Sequence, residues 1–305
     1  MNIGFIGLGI ISATHLAVLA EFPNVQLAFT VDPTPPTDFT FKGQQPPHYA
    51  STQAALQAHK PDWVIIATPT STHIDILCEV LQFSNAHVLL EKPAVHDIEA
   101  LQRLLELDPS LNAHGRVAVA HHFAFSPEVI WTSDLIAAHP EWGPITQITS
   151  AFYDPYLSWV EKAYESYISS WTDSGPNQLS MLTRFVELQA IESLHEFADR
   201  TCSWCTVRFP SGIARLHTSW RTGWSSKRST FNLGESGTEI WIDHTALTGV
   251  AMRGSEMLAV LANDDPTPRK VAHYRPLYHS LFSGNPDPVL SINTAAKVFG
   301  LMHGA

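Results

Sequence analysis

Short apolar runs alternate with helical segments over the first ~120 residues, which is the pattern of a parallel sheet built from βαβ units. The runs show little alternation between apolar and polar positions, as expected for strands that are covered on both faces. The predicted strands are Asn2–Ile6, Val25–Val31, Trp63–Ala67, Val88–Glu91 and Val117–His121. The predicted helices are Ser12–Ala20, Thr52–Ala58, Thr72–Phe83 and Asp97–Leu107. Residues 1–122 are therefore predicted to form an α/β domain.

The pattern changes after residue 122, where longer strands with alternating apolar positions follow one another. These predicted strands are Ile145–Phe152, Thr201–Phe209, Ile213–Arg221, Ser229–Leu233 and Thr238–Ile242, with a hairpin turn at Pro210–Gly212. The predicted helices are Pro127–Ala137, Pro176–Val186 and Ile292–Met302. Sequential strands with helices grouped to one side indicate an α+β domain with a mostly antiparallel open sheet over residues 123–305.

Composition narrows the class of protein. The chain has 305 residues, enough for two domains, and its 45% hydrophobic and 15% charged residues are typical of a globular fold. Its net charge is −11 and the sequence has no cluster of Lys or Arg, which argues against nucleic acid as a partner. The apolar run Ile3–Ala20 contains glycines and polar residues, and no Lys or Arg precedes Lys42, so a secretory signal and a membrane span both fit poorly. We therefore expect a cytoplasmic protein.

Three cysteines, Cys78, Cys202 and Cys205, do not make a disulfide framework. Cys202 and Cys205 form a CxxC pair, but residues three apart on a strand point to opposite faces. A redox or zinc role is therefore not expected. No metal site is predicted, because the sequence does not cluster His, Cys and acidic residues at metal-ligand spacings.

The segment Gly7-Leu-Gly9-Ile-Ile-Ser12 follows the first predicted strand and opens the first predicted helix. In a dinucleotide-binding turn, Gly7 permits the tight turn, Gly9 lets the backbone approach a pyrophosphate, and the helix N-terminus faces the phosphate charge. Asp32 ends the second strand at about the expected ~20-residue spacing, where a carboxylate accepts hydrogen bonds from a ribose 2′-hydroxyl and repels a 2′-phosphate. NAD is therefore favoured over NADP. The alternative is that Asp32 only begins the turn that follows.

Two further segments carry candidate proton-transfer chemistry. Glu91-Lys92-Pro93 ends the fourth predicted strand, at the edge where open α/β sheets bind ligands, and Lys92 is there either a surface cation or an acid/base. Asp173-Ser-Gly-Pro-Asn177 places Asp173 and Asn177 four residues apart at a predicted helix start, although ordinary helix capping also explains Asp173. Together with the glycine turn, they suggest that a bound dinucleotide meets an alcohol whose proton is removed.

With these segments the sequence resembles the Gfo/Idh/MocA oxidoreductases, the glucose–fructose oxidoreductase and inositol dehydrogenase family, across essentially its whole length. The matching segments are GLGIISATH (Gly7–His15), ATPTSTH (Ala67–His73), LLEKP (Leu89–Pro93) and DSGPN (Asp173–Asn177). The resemblance implies a Rossmann domain followed by a substrate-binding and oligomerisation domain. In such proteins the open sheet of the second domain commonly forms an oligomer interface, so a homodimer or homotetramer is expected.

The resemblance also implies roles for individual residues. Lys92 would be the usual acid/base, and its peptide bond to Pro93 is often cis in the family. The residues expected at the cofactor are Gly7, Gly9, Ile10, Ile11, Asp32, Thr68, Pro69, His73, Glu91 and Lys92. Family members often carry a histidine where this chain has Asn177, and an asparagine positions a hydroxyl but exchanges no proton.

The asparagine makes the segment similar to that of L-arabinose and D-galactose 1-dehydrogenases. This similarity implies oxidation of an aldose at C1 to a lactone, with Lys92 as the base and Asp173 and Asn177 as its assistants. Two alternatives stay open: a dehydrogenase or reductase of another polyol or a dihydrodiol, and a non-catalytic NAD-binding sensor of the same fold. The candidates for substrate binding are His122, Tyr153 and Trp220, followed by His121, Asp154, Trp159 and Trp171. For each of these a core or interface role is the alternative.

Overall fold

The computed structural model describes residues 1–107, 116–158, 168–234 and 236–304. These residues form two compact units. Unit 1 comprises Met1–His121 and Tyr274–Phe299, and unit 2 comprises His122–His273 and the residues from Gly300 onward. The sequence instead places the domain limits at 1–122 and 123–305, and those limits stay a prediction. Trp159 lies outside the described residues.

Unit 1 is built on a six-stranded parallel sheet in the order β3-β2-β1-β4-β5-β6. The strands are β1 Asn2–Ile6, β2 Gln26–Val31, β3 His48–Tyr49, β4 Trp63–Ile66, β5 His87–Leu90 and β6 Val117–Val119. The helices between them are α1 Ser12–Ala20, α2 Thr52–Ala58, α3 His73–Phe83 and α4 Ile98–Leu105. The predicted Rossmann-type sheet is confirmed. Its strand order reverses between β1 and β4, and ligands of such sheets bind beyond the carboxyl ends of the strands at the reversal.

The core of unit 1 explains why its strands read as continuous apolar runs. Val64 and Ile66 on β4 and Val88 and Leu90 on β5 are fully buried, and they pack with apolar residues from the helices. Burial of each such side chain contributes roughly 1.5–3 kcal/mol to the free energy of folding. The polar residues that follow the strands therefore stand on a rigid platform.

Unit 2 contains an eight-stranded sheet in the order β14-β13-β12-β11-β7-β10-β9-β8. Its strands are β7 Ile145–Tyr153, β8 Ala190–Glu196, β9 Cys202–Phe209, β10 Gly212–Ser219, β11 Ser226–Leu233, β12 Thr238–Asp243, β13 Thr248–Arg253 and β14 Glu256–Leu261. Neighbouring strands pair antiparallel except β7 and β10, which run parallel. The predicted mostly antiparallel sheet is confirmed. Helices α5 Pro127–Ala138 and α6 Ser170–Leu182 pack on this sheet.

Two more helices complete the described chain, α7 Arg269–Phe282 and α8 Ile292–His303. The sequence prediction missed α7, whose pattern is interrupted by polar residues and by Pro276. It also missed β3, β8, β13 and β14. Within the described residues, no helix is long and apolar enough to cross a membrane.

Helix α6 begins six residues before the predicted start at Pro176. The side chain of Ser169 accepts a hydrogen bond from the backbone N–H of Thr172, and the Thr172 hydroxyl bonds back to Ser169, which forms a capping box. Asp173 therefore lies in the first turn of the helix and is not its cap. The prediction failed because Pro176, which usually marks a helix start, lies inside this helix.

The CxxC pair lies on β9, as predicted. Cys202 and Cys205 are both buried and free. Burial raises the pKa of the Cys205 thiol to about 12, which disfavours the thiolate that redox or metal chemistry needs.

Candidate functional site

The turn after β1 has the geometry of a phosphate cradle. Gly7 has a φ of +92°, and a Cβ at this position would lie 2.6 Å from the carbonyl oxygen of Ala67, so only glycine fits. A Cβ on Gly9 would meet nothing within 4 Å, and the neighbouring Ile10 is 86% exposed. Among the residues that the structure describes, no side chain caps the start of α1. The open backbone and the uncapped helix N-terminus therefore fit a dinucleotide pyrophosphate.

Asp32 follows the end of β2 and is held by two backbone groups. The N–H of Leu8 donates to Oδ2 at 2.8 Å, and the N–H of Thr34 donates to Oδ1 at 2.9 Å. Each carboxylate oxygen can accept a further hydrogen bond. The hydrogen bond from Leu8 holds Asp32 at the glycine turn, where a ribose would lie. The hydrogen bond from Thr34 is the contact expected if Asp32 only begins the turn that follows β2.

His73 joins two loops at the carboxyl edge of the sheet. Its Nε2 lies 2.9 Å from the carbonyl oxygen of Thr68, and its Nδ1 lies 3.0 Å from that of Pro93. Burial lowers the pKa of His73, opposed by the hydrogen bond to Thr68 and by the charge of Glu91. The geometry gives this predicted cofactor residue a positioning role, because both ring nitrogens already face protein carbonyls.

The Glu91-Lys92-Pro93 segment follows β5, and the peptide bond between Lys92 and Pro93 is cis. Glu91 is buried and accepts hydrogen bonds at Oε1 from Nε2 of His15 at 2.9 Å and from the Tyr274 hydroxyl at 2.5 Å. Its Oε2 accepts from the backbone N–H of Lys92 at 3.1 Å. Burial would raise the pKa of Glu91, but the hydrogen bond and charge of His15 hold it below its usual value.

A buried network thus joins the helix of the glycine turn to the lysine segment. Nδ1 of His15 lies 2.6 Å from the Tyr278 hydroxyl, while its Nε2 bonds Glu91. Tyr274 and Tyr278 both come from α7, which sequence reasoning did not identify. The sequence signal was His15 in the GLGIISATH segment, whose partners lie more than 70 residues away along the chain.

In unit 2, Asp173 and Asn177 lie on the first two turns of α6, and Nδ2 of Asn177 is 3.5 Å from the carbonyl oxygen of Asp173. A Cβ on Gly175 would lie 2.9 Å from the ring of Trp171, so this glycine is required by the packing of the indole. That contact explains the glycine of the DSGPN segment in structural terms. The buried Nε1 of Trp171 has no hydrogen-bond partner within the described part of the chain.

A buried ion pair in unit 2 was missed by sequence reasoning. Nζ of Lys227 on β11 bonds Oδ2 of Asp154, and the Ser225 hydroxyl donates to the other oxygen of Asp154 at 3.2 Å. Burial lowers the pKa of Lys227, opposed by the negative charges of Asp154 and Asp173. The sequence signal for this ion pair was the position of Lys227, which alternates with Ser229 and Phe231 on the buried face of the strand.

The three predicted substrate residues have partners inside unit 2. Nδ1 of His122 lies 3.2 Å from Nδ1 of His273. The Tyr153 hydroxyl lies 2.7 Å from Nδ1 of His217, and the buried ring of Trp220 lies against Tyr156 with centroids 5.8 Å apart. Their roles in binding stay predictions.

The comparisons with known proteins agree with this arrangement. Residues 1–121 match the Gfo/Idh/MocA oxidoreductase family, described as an NAD-binding Rossmann fold. The rhizopine catabolism protein MocA of Rhizobium meliloti is 25% identical over 137 residues, which are 45% of this chain and 42% of MocA. YteT of Bacillus subtilis strain 168 is 30% identical over 119 residues, 39% of this chain and 26% of YteT. The matches thus span less than half the length of both relatives.

Solved structures share the fold over the whole chain. A myo-inositol dehydrogenase from Corynebacterium glutamicum has a TM-score of 0.78 at 18% identity, covering 99% of this chain and 94% of its own. The UDP-N-acetylglucosamine 3-dehydrogenase GnnA from Acidithiobacillus ferrooxidans has 0.77 at 17% identity, covering 100% and 96%. GenD2 from gentamicin A biosynthesis, crystallised with NAD, has 0.76 at 17% identity, covering 100% and 93%. At these identities the likeness concerns the fold alone.

Proposed function

We propose that the protein is an NAD-dependent dehydrogenase that oxidises a hydroxyl of a sugar, with C1 of an aldose as the reacting carbon. The observation that carries the proposal is the placement of Lys92 beyond β5 of an NAD-binding domain, beside the buried Glu91. Within the described residues the amine of Lys92 has no hydrogen-bond partner, so it is available to a ligand.

In the proposed reaction, Lys92 in its neutral form takes the proton of the C1 hydroxyl. The bound cofactor supplies the hydride acceptor. The C1–H electron pair leaves as hydride, the C1–O bond becomes a carbonyl, and the product is a lactone. A hemiacetal hydroxyl is more acidic than an ordinary alcohol, so a single base suffices. A positioned base of this kind contributes roughly 10²- to 10⁴-fold to the rate.

The other predicted residues bind and orient. Asp32 accepts from the ribose hydroxyls and favours NAD over NADP, because its charge repels a 2′-phosphate. On α6, the carboxylate of Asp173 and the amide of Asn177 hold sugar hydroxyls. Asn177 exchanges no proton, which leaves Lys92 as the group that does.

The relatives support a ring hydroxyl but leave its position open. Two of the structures that share the fold are named for reactions of an inositol and of a nucleotide sugar. A dehydrogenase of another polyol is therefore the second candidate function. A non-catalytic NAD-binding sensor is the third, and it does not explain an amine held at the ligand edge of the sheet.

A panel of aldoses and cyclitols with NAD⁺ or NADP⁺, followed by absorbance of the reduced cofactor, tests the proposal. Oxidation of an aldose by the wild type and loss of at least 10²-fold in kcat for Lys92→Met are expected, with cofactor affinity retained. Lys60→Met is the control, because Lys60 is an exposed residue of the same unit. Retained turnover by Lys92→Met would contradict the role of Lys92 as the base. Turnover of cyclitols alone would favour a dehydrogenase of another polyol.

We also propose that copies of the chain join through the exposed face of the eight-stranded sheet. Trp241 is in register with Val250, and Val250 is in register with Val260. The strand register that runs from β9 through β10, β7 and β11 to β12 places Trp204 on the same face as Trp241. Trp204, Trp241 and Val260 are 44%, 53% and 55% exposed. Large apolar side chains exposed on one face of a sheet are typical of an interface.

A further inference from the structure

His121 is a buried imidazole at the carboxyl edge of the parallel sheet of unit 1. It follows β6, and only 4% of its surface is exposed. Within the described residues, neither Nδ1 nor Nε2 has a hydrogen-bond partner. A buried polar group without a partner is costly, so both nitrogens call for a ligand or a water.

The pairing of β5 and β6 brings His121 next to Lys92. Leu90 is in register with Val119, and the N–H of Ala120 donates to the carbonyl oxygen of Leu90 at 2.9 Å. Lys92 and His121 each lie two residues beyond this last pair, so both stand at the carboxyl ends of neighbouring strands. The charge of Lys92 also acts on His121.

His121 is neutral at physiological pH. Burial lowers the pKa of His121 to about 4; the charge of Glu91 opposes this shift and that of Lys92 adds to it. A neutral imidazole has one donor and one acceptor nitrogen. A sugar hydroxyl offers the matching acceptor and donor.

The contrast with His73 shows that this state is particular to His121. Both histidines are buried at the same edge, but the ring nitrogens of His73 already face two carbonyl oxygens. His121 is the one whose hydrogen-bonding capacity is left for something outside the described chain.

We propose that His121 is a substrate-specificity residue that binds the sugar hydroxyl next to the one that Lys92 deprotonates. For oxidation at C1, this is the hydroxyl on C2. This assignment rests on the proposed function. It places on unit 1 a recognition element for which the sequence offered His121 and His122 together, with His122 preferred.

The test compares D-galactose, or the best aldose of the panel, with its 2-deoxy counterpart. Binding of each sugar to the enzyme–NADH complex is measured by calorimetry, alongside kcat/KM for each. The wild type is expected to prefer the 2-hydroxy sugar, and His121→Leu to lose about 10- to 100-fold of that preference. His121→Gln, which still donates and accepts, is expected to recover part of it. His195→Gln is the control, because His195 is exposed.

Several results would overturn the assignment. Equal weakening of both sugars by His121→Leu would mean a structural role. Weaker binding of NADH itself would make the cofactor amide the partner. No change in either sugar would mean that the imidazole binds a buried water only. Sugar binding without turnover would sink the proposed function and leave this inference standing, whereas no sugar binding to the wild type would sink both.

Discussion

At the scale of single residues, Asp32 is the residue that we propose sets the preference for NAD over NADP. Asp32→Asn keeps one oxygen for the backbone N–H of Leu8 or Thr34 but removes the negative charge. We expect KM for NAD⁺ to rise and KM for NADP⁺ to fall, so that the preference for NAD⁺ shrinks at least tenfold, about 1.4 kcal/mol. Steady-state kinetics with both cofactors measure this change.

The matched control is Asp38→Asn in the same segment. Asp38 is exposed and has a φ of +53°, which asparagine also adopts, so its replacement removes a nearby charge without disturbing the turn. An equal change in preference for both variants would mean that general charge, and not contact with the ribose, sets the specificity.

Glu91 is the second residue whose replacement is informative. Glu91→Gln preserves the shape of the network with His15 and Tyr274 but removes a charge beside Lys92. We expect kcat/KM to fall, because an amide accepts only at its oxygen and cannot keep the hydrogen bonds from both sides of the carboxylate. Glu99→Gln, at an exposed residue, serves as control, and an unchanged kcat/KM for Glu91→Gln would contradict a positioning role of Glu91.

Sequence reasoning identified the residues of unit 1 that lie in short motifs and missed those that depend on tertiary contacts. Gly7, Asp32 and Lys92 could be predicted because strand ends and glycine turns are local signals. Tyr274 and Tyr278 could not, because their partners His15 and Glu91 lie far away in sequence. His121 and His122 are adjacent, and only the folded chain shows that, among the described residues, both ring nitrogens of His121 have no hydrogen-bond partner.

At the scale of elements, the exposed sheet face leads to a prediction about assembly. Trp241→Glu places a charge on the exposed face of the sheet, on β12, so we expect a shift of the wild-type oligomer toward the monomer in light scattering coupled to size exclusion. Trp224→Glu is the control, because Trp224 is 71% exposed and lies outside the strands. A monomeric wild type, or an assembly unaffected by Trp241→Glu, would contradict the proposed interface.

Elements were predictable where local pattern and tertiary environment agree. Helix α1 and strand β1 have the predicted limits. Their apolar residues predict a buried strand and a packed helix, and the glycines between them predict the turn that separates the two. Helix α6 does not, because the capping box of Ser169 and Thr172 outweighs the signal of Pro176. Strand β8 was missed because its residues are mostly exposed or half-buried, which leaves no apolar alternation to detect.

At the scale of the whole molecule, buried neutral histidines link stability to pH. Burial lowers the pKa of His121 to about 4 and that of His273 to about 3. The unfolded chain therefore binds protons below pH ~6.5 that the folded chain excludes, so stability is complete above this pH and is lost as pH falls toward the folded values. The pKa values of Glu91 and Glu128 are lowered in the folded protein, so these carboxylates reduce stability only when the pH falls below the usual carboxyl pKa. Between that pH and pH ~6.5, the loss of stability comes from the histidines.

Urea denaturation at pH 7 and pH 5 measures this linkage. Between these values His121 alone is expected to cost about 1–2 kcal/mol of the free energy of unfolding. His121→Gln removes the titrating group, so its free energy of unfolding should fall by about 1–2 kcal/mol less than that of the wild type between pH 7 and pH 5. His195→Gln, at an exposed site, should follow the wild type. Parallel pH dependences of the wild type and His121→Gln would mean that the imidazole is solvated in the folded protein.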